Sequence, residues 1–138
     1  MTAVHKAFVS STYEDLKHHR AFVIKALREG GIHVDPMEDW TADPHEPKVL
    51  SQERVSDCDL CILLVARRIG YIPAGETLSI TQLEYEHAIR HGIDVLVFVL
   101  DDDAEWGFEW DEKPEIRRWR DDLLKKHCIR QFGKAPES

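Results

Sequence analysis

The sequence predicts an α/β domain with a doubly wound sheet of four to five parallel strands and helices on both faces. Strand-like and helix-like hydrophobic patterns alternate along the chain, which is typical of strand–helix–strand units. Residues 60–66 and 93–100 are continuously apolar, as expected of parallel strands that are buried on both faces. The 138 residues fit one domain, so we expect residues 1–138 to form a single domain that is excised from a longer protein.

The first half of the chain contains two predicted strands and one clear helix. Residues 4–10 predict the first strand. Thr12 fits the N-cap of the helix that follows, with Asp15 in the acidic position of a capping box. Apolar residues recur at helical spacing up to the "EGG" of residues 29–31, where a glycine ends the helix. Residues 32–37 predict a short second strand, and a polar, proline-containing loop follows it.

The second half contains the strongest strand signals. A weak apolar spacing over residues 49–55 predicts a short helix ahead of the buried strand of residues 60–66. A loop over residues 67–79 leads to a helix over residues 80–92 with a terminal glycine. The second buried strand, residues 93–100, comes next. An acidic loop with tryptophans, a last helix and a short strand at "CIRQF" complete the pattern.

Charge and composition argue against several classes of function. The chain has 26 acidic and 18 basic residues, and its net charge of −8 repels phosphate backbones, so we expect no nucleic-acid binding. No apolar run approaches the ~18 residues of a membrane span, so we expect no membrane partner. Three cysteines, an odd number in a small chain, indicate a reducing cytoplasm.

A ligand site in such a sheet is expected at the carboxyl ends of the strands, where the strand order reverses. The segments that leave these ends are residues 10–12, 36–46, 67–79 and 101–113. Any site should therefore be built from these four segments.

Three hydroxyl residues stand together at the end of the first strand. Ser10, Ser11 and Thr12 lie where the next helix begins, and backbone N–H groups with hydroxyls form a ready site for an anion or a ribose. The alternative is helix capping, which needs only one of the three. The sequence has no glycine-rich phosphate loop, so a conventional dinucleotide or nucleoside-triphosphate fold is not expected.

The loop after the third strand supplies further candidates. Arg67, Arg68 and Gly70 follow the buried strand and should emerge at the predicted crevice, and Tyr71 offers an aromatic face for stacking. Ser79 or Thr81 fits the N-cap of the next helix.

Glu84 is the most unusual residue of that helix. It shares its helix face with Ile80 and Ala88, which belong to the buried stripe, whereas Glu86 lies off the stripe and is expected at the surface. A carboxylate on the inward side of a helix needs a partner, and Arg68 is the natural candidate. We therefore expect Glu84 to be functional.

Metal binding is not expected. Cys58 and Cys61 have the spacing of half a metal site, but no second pair exists and Cys61 lies inside an apolar strand. The acidic run of residues 101–103 is more typical of an exposed loop than of a cation site.

Three blocks in order carry a resemblance to a known family. "FVSSTYEDLKHHR", "DCDLCILLVARRIGY" and "SITQLEYEHAIRHGIDVLVFV" resemble a family of uncharacterised domains related to Toll/interleukin-1 receptor (TIR) domains. The resemblance covers roughly residues 5–100 and implies a flavodoxin-like, TIR-like fold. It also implies that the full-length protein continues into NTPase modules of the NACHT or AAA type, or into TPR or WD repeats.

The resemblance also implies an activity. TIR domains, and more distantly nucleoside deoxyribosyltransferases, carry a glutamate in a Glu-x-x-x-Ala helix, preceded in TIR enzymes by a serine. Ser79, Glu84 and Ala88 match this pattern. Glu84 would then be the catalytic carboxylate that holds the ribose hydroxyls of NAD, a substrate here, while the bond to nicotinamide breaks. No prosthetic group is implied.

The leading interpretation is a TIR-like domain that binds NAD or a related nucleotide and hydrolyses it. It would be the effector or sensor module of a signalling or antiphage-defence-type protein. Glu84 would be catalytic, and the nucleotide-binding residues would be Ser10, Ser11, Thr12, Arg68, Tyr71 and Ser79. One alternative is a non-catalytic adaptor that associates with itself or with other proteins. Another is a transferase or hydrolase of free nucleosides.

Overall fold

A computed structural model describes residues 5–36, 47–127 and 129–133, without the side chains of Pro47 and Lys48. In chain order the elements are β1 (Lys6–Ser10), α1 (Lys17–Glu29), β2 (His33–Val34), α2 (Pro47–Ser56), β3 (Leu60–Val65), α3 (Ile80–Arg90), β4 (Asp94–Leu100), α4 (Glu115–Lys126) and β5 (Arg130–Phe132). The predicted alternation of strands and helices is therefore present.

All strands lie parallel in one sheet with the order β2-β1-β3-β4-β5. The chain extends the sheet first to one side of β1 and then to the other, so the strand order reverses between β1 and β3. Such a reversal is the switch point at which doubly wound sheets bind ligands. Ser10, the last residue of β1, pairs in register with Leu63 of β3 and lies beside this point. The predicted fold class is confirmed.

Hydrophobic cores cover both faces of the sheet. Leu63 and Val65 of β3 point to the face covered by α3 and α4, and Trp119 of α4 belongs to the same hydrophobic cluster. Ile62 and Leu64 point to the opposite face, which α1 covers. The alternation along β3 buries the strand on both sides, as its unbroken apolar sequence predicts.

The prediction that the whole of β4 is buried is wrong for its first half. Leu96 is 49% exposed, and burial is complete only near the end of the strand. Leu96 pairs in register with Ile62 and therefore faces the α1 side of the sheet. On that side α1 packs against β1 and β2, so the first half of β4 lies beyond its cover.

The prediction that Thr12 caps the first helix is also wrong. α1 begins at Lys17, and its N-cap residue, Leu16, makes no side-chain capping hydrogen bond. Residues 13–16 form a turn, closed by a hydrogen bond from the Leu16 N–H to the Tyr13 carbonyl at 3.1 Å. The Thr12 hydroxyl donates to the Asp15 carboxylate instead.

The short predicted elements are present with narrower bounds. The second strand has two residues, and the strand predicted at "CIRQF" begins at Arg130. Most of the predicted loop over residues 36–46 lies outside the described residues. Within the described ranges, no helix has the length and hydropathy of a membrane span.

Candidate functional site

Three elements meet around one carboxylate at the switch point. Glu84 projects from α3 towards the end of β1, where the Ser10 hydroxyl donates a hydrogen bond to its Oε1 atom at 2.7 Å. Ser51 of α2 is a second side-chain hydrogen-bond partner. Because both donors are hydroxyls, they hold the orientation of the carboxylate without neutralising its charge.

The environment of Glu84 changes its titration. Glu84 is 6% exposed, and burial raises the pKa of its carboxyl group from 4.5 to about 7. The hydrogen bonds from Ser10 and Ser51 and the positive charge of Arg20 act in the opposite direction and lower the pKa. Both protonation states are therefore populated near neutral pH.

A capping box positions α3. The Gln82 N–H donates to the Ser79 hydroxyl at 3.2 Å, and the Ser79 N–H donates to the Gln82 side-chain oxygen at 3.0 Å. The helix therefore begins after Ser79, one of the two predicted caps. With this start, Glu84 faces inwards together with Ala88, and Glu86 is exposed as predicted.

The three adjacent hydroxyls at the end of β1 have different partners. Side chains alternate along a strand, so Ser10 turns to the α3 side, and Ser11 turns to the α1 side. There the Ser11 Oγ atom accepts a hydrogen bond from Arg20 at 3.0 Å and donates to the Thr12 carbonyl at 2.6 Å. Thr12 binds Asp15. Ser10 is thus the member of the trio that contacts Glu84.

Arg20 belongs to the candidate site and was not predicted from the sequence. Its side chain is fully buried, and it also donates to the Val9 carbonyl at 3.0 Å. The sequence does contain a signal for a buried Arg20. Leu16, Arg20 and Ile24 recur every four residues, so a charged residue lies in the buried stripe of the helix. Ser51 was also missed, and the weak pattern of α2 held no comparable signal.

Arg68 is not the cation that acts on Glu84. Its side chain is exposed, and the positive charge that lowers the pKa of Glu84 belongs to Arg20. The Arg68 guanidinium lies on an exposed loop and stays hydrated. Arg20 lies on the buried face of α1, and this places its guanidinium at the end of β1. Tyr71 is 67% exposed, and its carbonyl accepts a hydrogen bond from the Ile80 N–H at 2.9 Å. Its predicted stacking role stays a prediction.

The loop after β3 passes very close to the end of β1. Gly70 has a φ of +89°, and a Cβ atom at this position would lie 2.9 Å from the Thr12 Cγ2 atom and 3.9 Å from the Thr81 Oγ1 atom. Only glycine combines this backbone conformation with this approach at little cost. The segments after β1 and β3 and the start of α3 are thereby brought together, as predicted.

Two cavities in the described part of the chain lie away from Glu84. One, of about 590 Å³, runs along α1 beside Tyr13 and Pro36. The other, of about 380 Å³, lies beside Trp110, over whose ring Arg117 is stacked at 3.8 Å. Glu84 lines neither of these two cavities.

No group of three or more metal-ligating side chains is found among the described residues. Cys58 and Cys61 are free and buried. Burial raises the pKa of the Cys58 thiol to about 11 and also raises the pKa of Cys61. Both thiols are therefore protonated at neutral pH, the form that binds metals poorly.

Comparisons with known proteins agree with this architecture. The family model for a domain of unknown function, DUF4062, matches residues 6–138. Among solved structures, the chain is similar to the TIR domains of the activated Roq1 resistosome, which directly recognises the pathogen effector XopQ. The TM-score is 0.55 and the identity 13%, and the match covers 88% of this chain and 72% of that chain. No curated protein sequence matches the chain significantly.

Proposed function

Because the chain belongs to the DUF4062 family and has the fold of a TIR domain, we propose that it binds NAD and cleaves the bond between ribose and nicotinamide. The observation that carries this proposal is the buried Glu84 carboxylate. It lies at the switch point of the sheet, it is held by Ser10 and Ser51, and its pKa is raised to about 7.

Cleavage of the bond between ribose and nicotinamide needs a negative charge beside the ribose C1′ atom. When the N-glycosidic bond breaks, its electron pair moves to the pyridinium nitrogen and nicotinamide leaves as a neutral molecule. The ribose C1′ atom becomes oxocarbenium-like, and the ionised Glu84 stabilises this positive charge. Water then adds to C1′ and releases a proton, which gives adenosine diphosphate ribose (ADP-ribose). Glu84 is shielded from bulk water, which screens this electrostatic interaction less than it would at the surface.

Turnover of NAD by the concentrated domain tests the proposal. We expect nicotinamide and ADP-ribose as products, and we expect Glu84→Gln to lower the rate at least 100-fold, because Gln keeps the shape but not the charge. Glu86→Gln is the matched control, since Glu86 lies on the same helix but is exposed, and its rate should equal the wild-type rate. Undiminished turnover by Glu84→Gln would contradict the catalytic role.

The wider setting forms part of the same proposal. We place the domain in the cytoplasm as an effector or sensor module of a signalling or defence-type protein, with NTPase or repeat modules as its neighbours. The similarity to TIR domains from an assembly that recognises a pathogen effector supports this setting. Self-association of the domain would be its means of activation.

A non-catalytic adaptor is the second candidate, and the burial of Glu84 favours it. A carboxylate that is 6% exposed suits a purely structural role. If NAD is not turned over, thermal shift separates the two cases. Stabilisation by NAD or ADP-ribose that Ser10→Ala abolishes indicates a nucleotide-binding module. No stabilisation at all favours the adaptor.

A further inference from the structure

Asp15 presents a second buried carboxylate at the same end of the sheet. It lies in the turn between β1 and α1 and is 6% exposed. Its Oδ1 atom accepts the hydrogen bond from the Thr12 hydroxyl. Its Oδ2 atom is buried and has no hydrogen-bond partner among the described residues. A buried carboxylate oxygen without a donor is costly, and such a group in a native fold calls for an explanation.

The position of Asp15 connects it to the candidate site. Thr12 binds Asp15 through its hydroxyl group, and its methyl group lies against Gly70 of the loop after β3. Two residues before Thr12, Ser10 binds Glu84. Asp15 and Glu84 are therefore both joined by hydrogen bonds to the Ser10–Thr12 segment at the carboxyl end of β1.

The chemistry of Asp15 narrows the class of ligand group that it would accept. The Oδ2 atom is an acceptor, so the partner that it lacks is a hydrogen-bond donor. The phosphate groups of a nucleotide present acceptor oxygens, so they do not supply this donor. A ribose offers neutral hydroxyl donors, and doubly wound folds use acidic side chains to bind ribose hydroxyls.

We propose that the Asp15 Oδ2 atom accepts a hydrogen bond from a ribose hydroxyl of the bound nucleotide. Asp15 is then a ribose-binding residue in addition to Glu84, and the end of β1 binds sugar rather than phosphate. This inference rests on the proposed function, since it assigns one contact within the same nucleotide site.

The test pairs a change in the protein with a change in the ligand. Binding of ADP-ribose and of analogues that lack single ribose hydroxyls is measured by calorimetry with the wild type and with Asp15→Asn. We expect the wild type to bind one hydroxyl-deleted analogue roughly tenfold or more weakly than ADP-ribose. Asp15→Asn should bind ADP-ribose equally weakly and should no longer distinguish the two ligands.

Controls distinguish a failure of the inference about Asp15 from a failure of the proposed function. Glu14→Gln changes an exposed neighbour and should bind as the wild type does. If the wild type binds ADP-ribose but Asp15→Asn keeps the full discrimination, the inference about Asp15 is overturned and the proposed function stands. If the wild type binds every hydroxyl-deleted analogue as well as ADP-ribose, the inference is overturned without any variant. Failure of the wild type to bind ADP-ribose overturns the inference about Asp15, whereas the proposed function is decided separately by the turnover of NAD.

Discussion

At the scale of single residues, the molecule concentrates polar groups that are costly to bury at one end of β1. Glu84, Asp15 and Arg20 are each at most 6% exposed. Serine and threonine hydroxyls separate the charged groups, since Ser10 donates to Glu84 and Ser11 accepts from Arg20. Buried charges of this kind are retained at functional sites more readily than in ordinary cores.

The raised pKa of Glu84 predicts a pH dependence of stability. The folded state binds the proton more tightly than the unfolded state, so this stabilisation is complete below pH 4.5 and is lost as the pH rises through about 7. The difference between the two pKa values corresponds to roughly 3 kcal/mol. We expect Glu84→Gln to be more stable than the wild type by up to this amount at pH 8, and similarly stable near pH 4.

Urea unfolding of the two proteins at several pH values measures this difference in free energy. The exposed Glu86→Gln variant corrects for the general effect of removing an acidic side chain from α3. A constant difference between Glu84→Gln and the wild type across this range would show that the carboxyl group of Glu84 titrates normally.

At the scale of elements, the site depends on how closely two loops and one helix start approach each other. The capping box of Ser79 and Gln82 sets the rotation of α3, and thereby turns Glu84 inwards. The loop after β3 fits against Thr12 only because residue 70 has no side chain. The geometry at the switch point is therefore set by the ends of elements rather than by their middles.

Two glycine substitutions separate backbone strain from steric clash. Gly70 and Gly75 both have a positive φ, of +89° and +80°, but a Cβ atom at Gly75 would have no atom within 4 Å. We expect Gly75→Ala to lower the free energy of unfolding by about 1 kcal/mol from backbone strain. Gly70→Ala should lower it by roughly 1–3 kcal/mol more, because the Cβ atom meets the Thr12 methyl group. Chemical denaturation of the two variants measures both costs, and equal costs would show that Thr12 moves aside freely.

At the scale of the whole molecule, two buried arginines connect the carboxyl ends of the strands. Arg20 reaches from α1 to the Val9 carbonyl of β1. Arg120 reaches from α4 to the carbonyls of Ala66 and Leu100, at 2.8 and 2.9 Å, which follow β3 and end β4. Each guanidinium donates hydrogen bonds to backbone oxygens at or near the ends of the strands. The edge that carries the site is therefore held from both faces.

We expect a large loss of stability when the hydrogen bonds of one of these arginines are removed. Arg20→Met leaves the buried Val9 carbonyl and Ser11 hydroxyl without their donor, and we expect the free energy of unfolding to fall by roughly 3 kcal/mol. Arg68→Met is the matched control, since Arg68 is exposed, and its effect should stay within about 0.5 kcal/mol. Urea denaturation compares the two variants. Equal effects would mean that Arg20 is not a structural connection.

The sequence by itself determined the order and type of the elements, the doubly wound class and the inward direction of Glu84. These follow from periodicity, which is a local property: an unbroken apolar run marks β3, and the spacing of Ile80, Glu84 and Ala88 marks one helix face. Only the tertiary structure decided which side chains contact Glu84 and which cation acts on it. Ser10 and Glu84 are 74 residues apart, and the choice of Arg20 over Arg68 depends on which helix covers which face of the sheet. The exposure of Leu96 has the same cause, because a strand pattern records that a residue is apolar but not whether a helix reaches it.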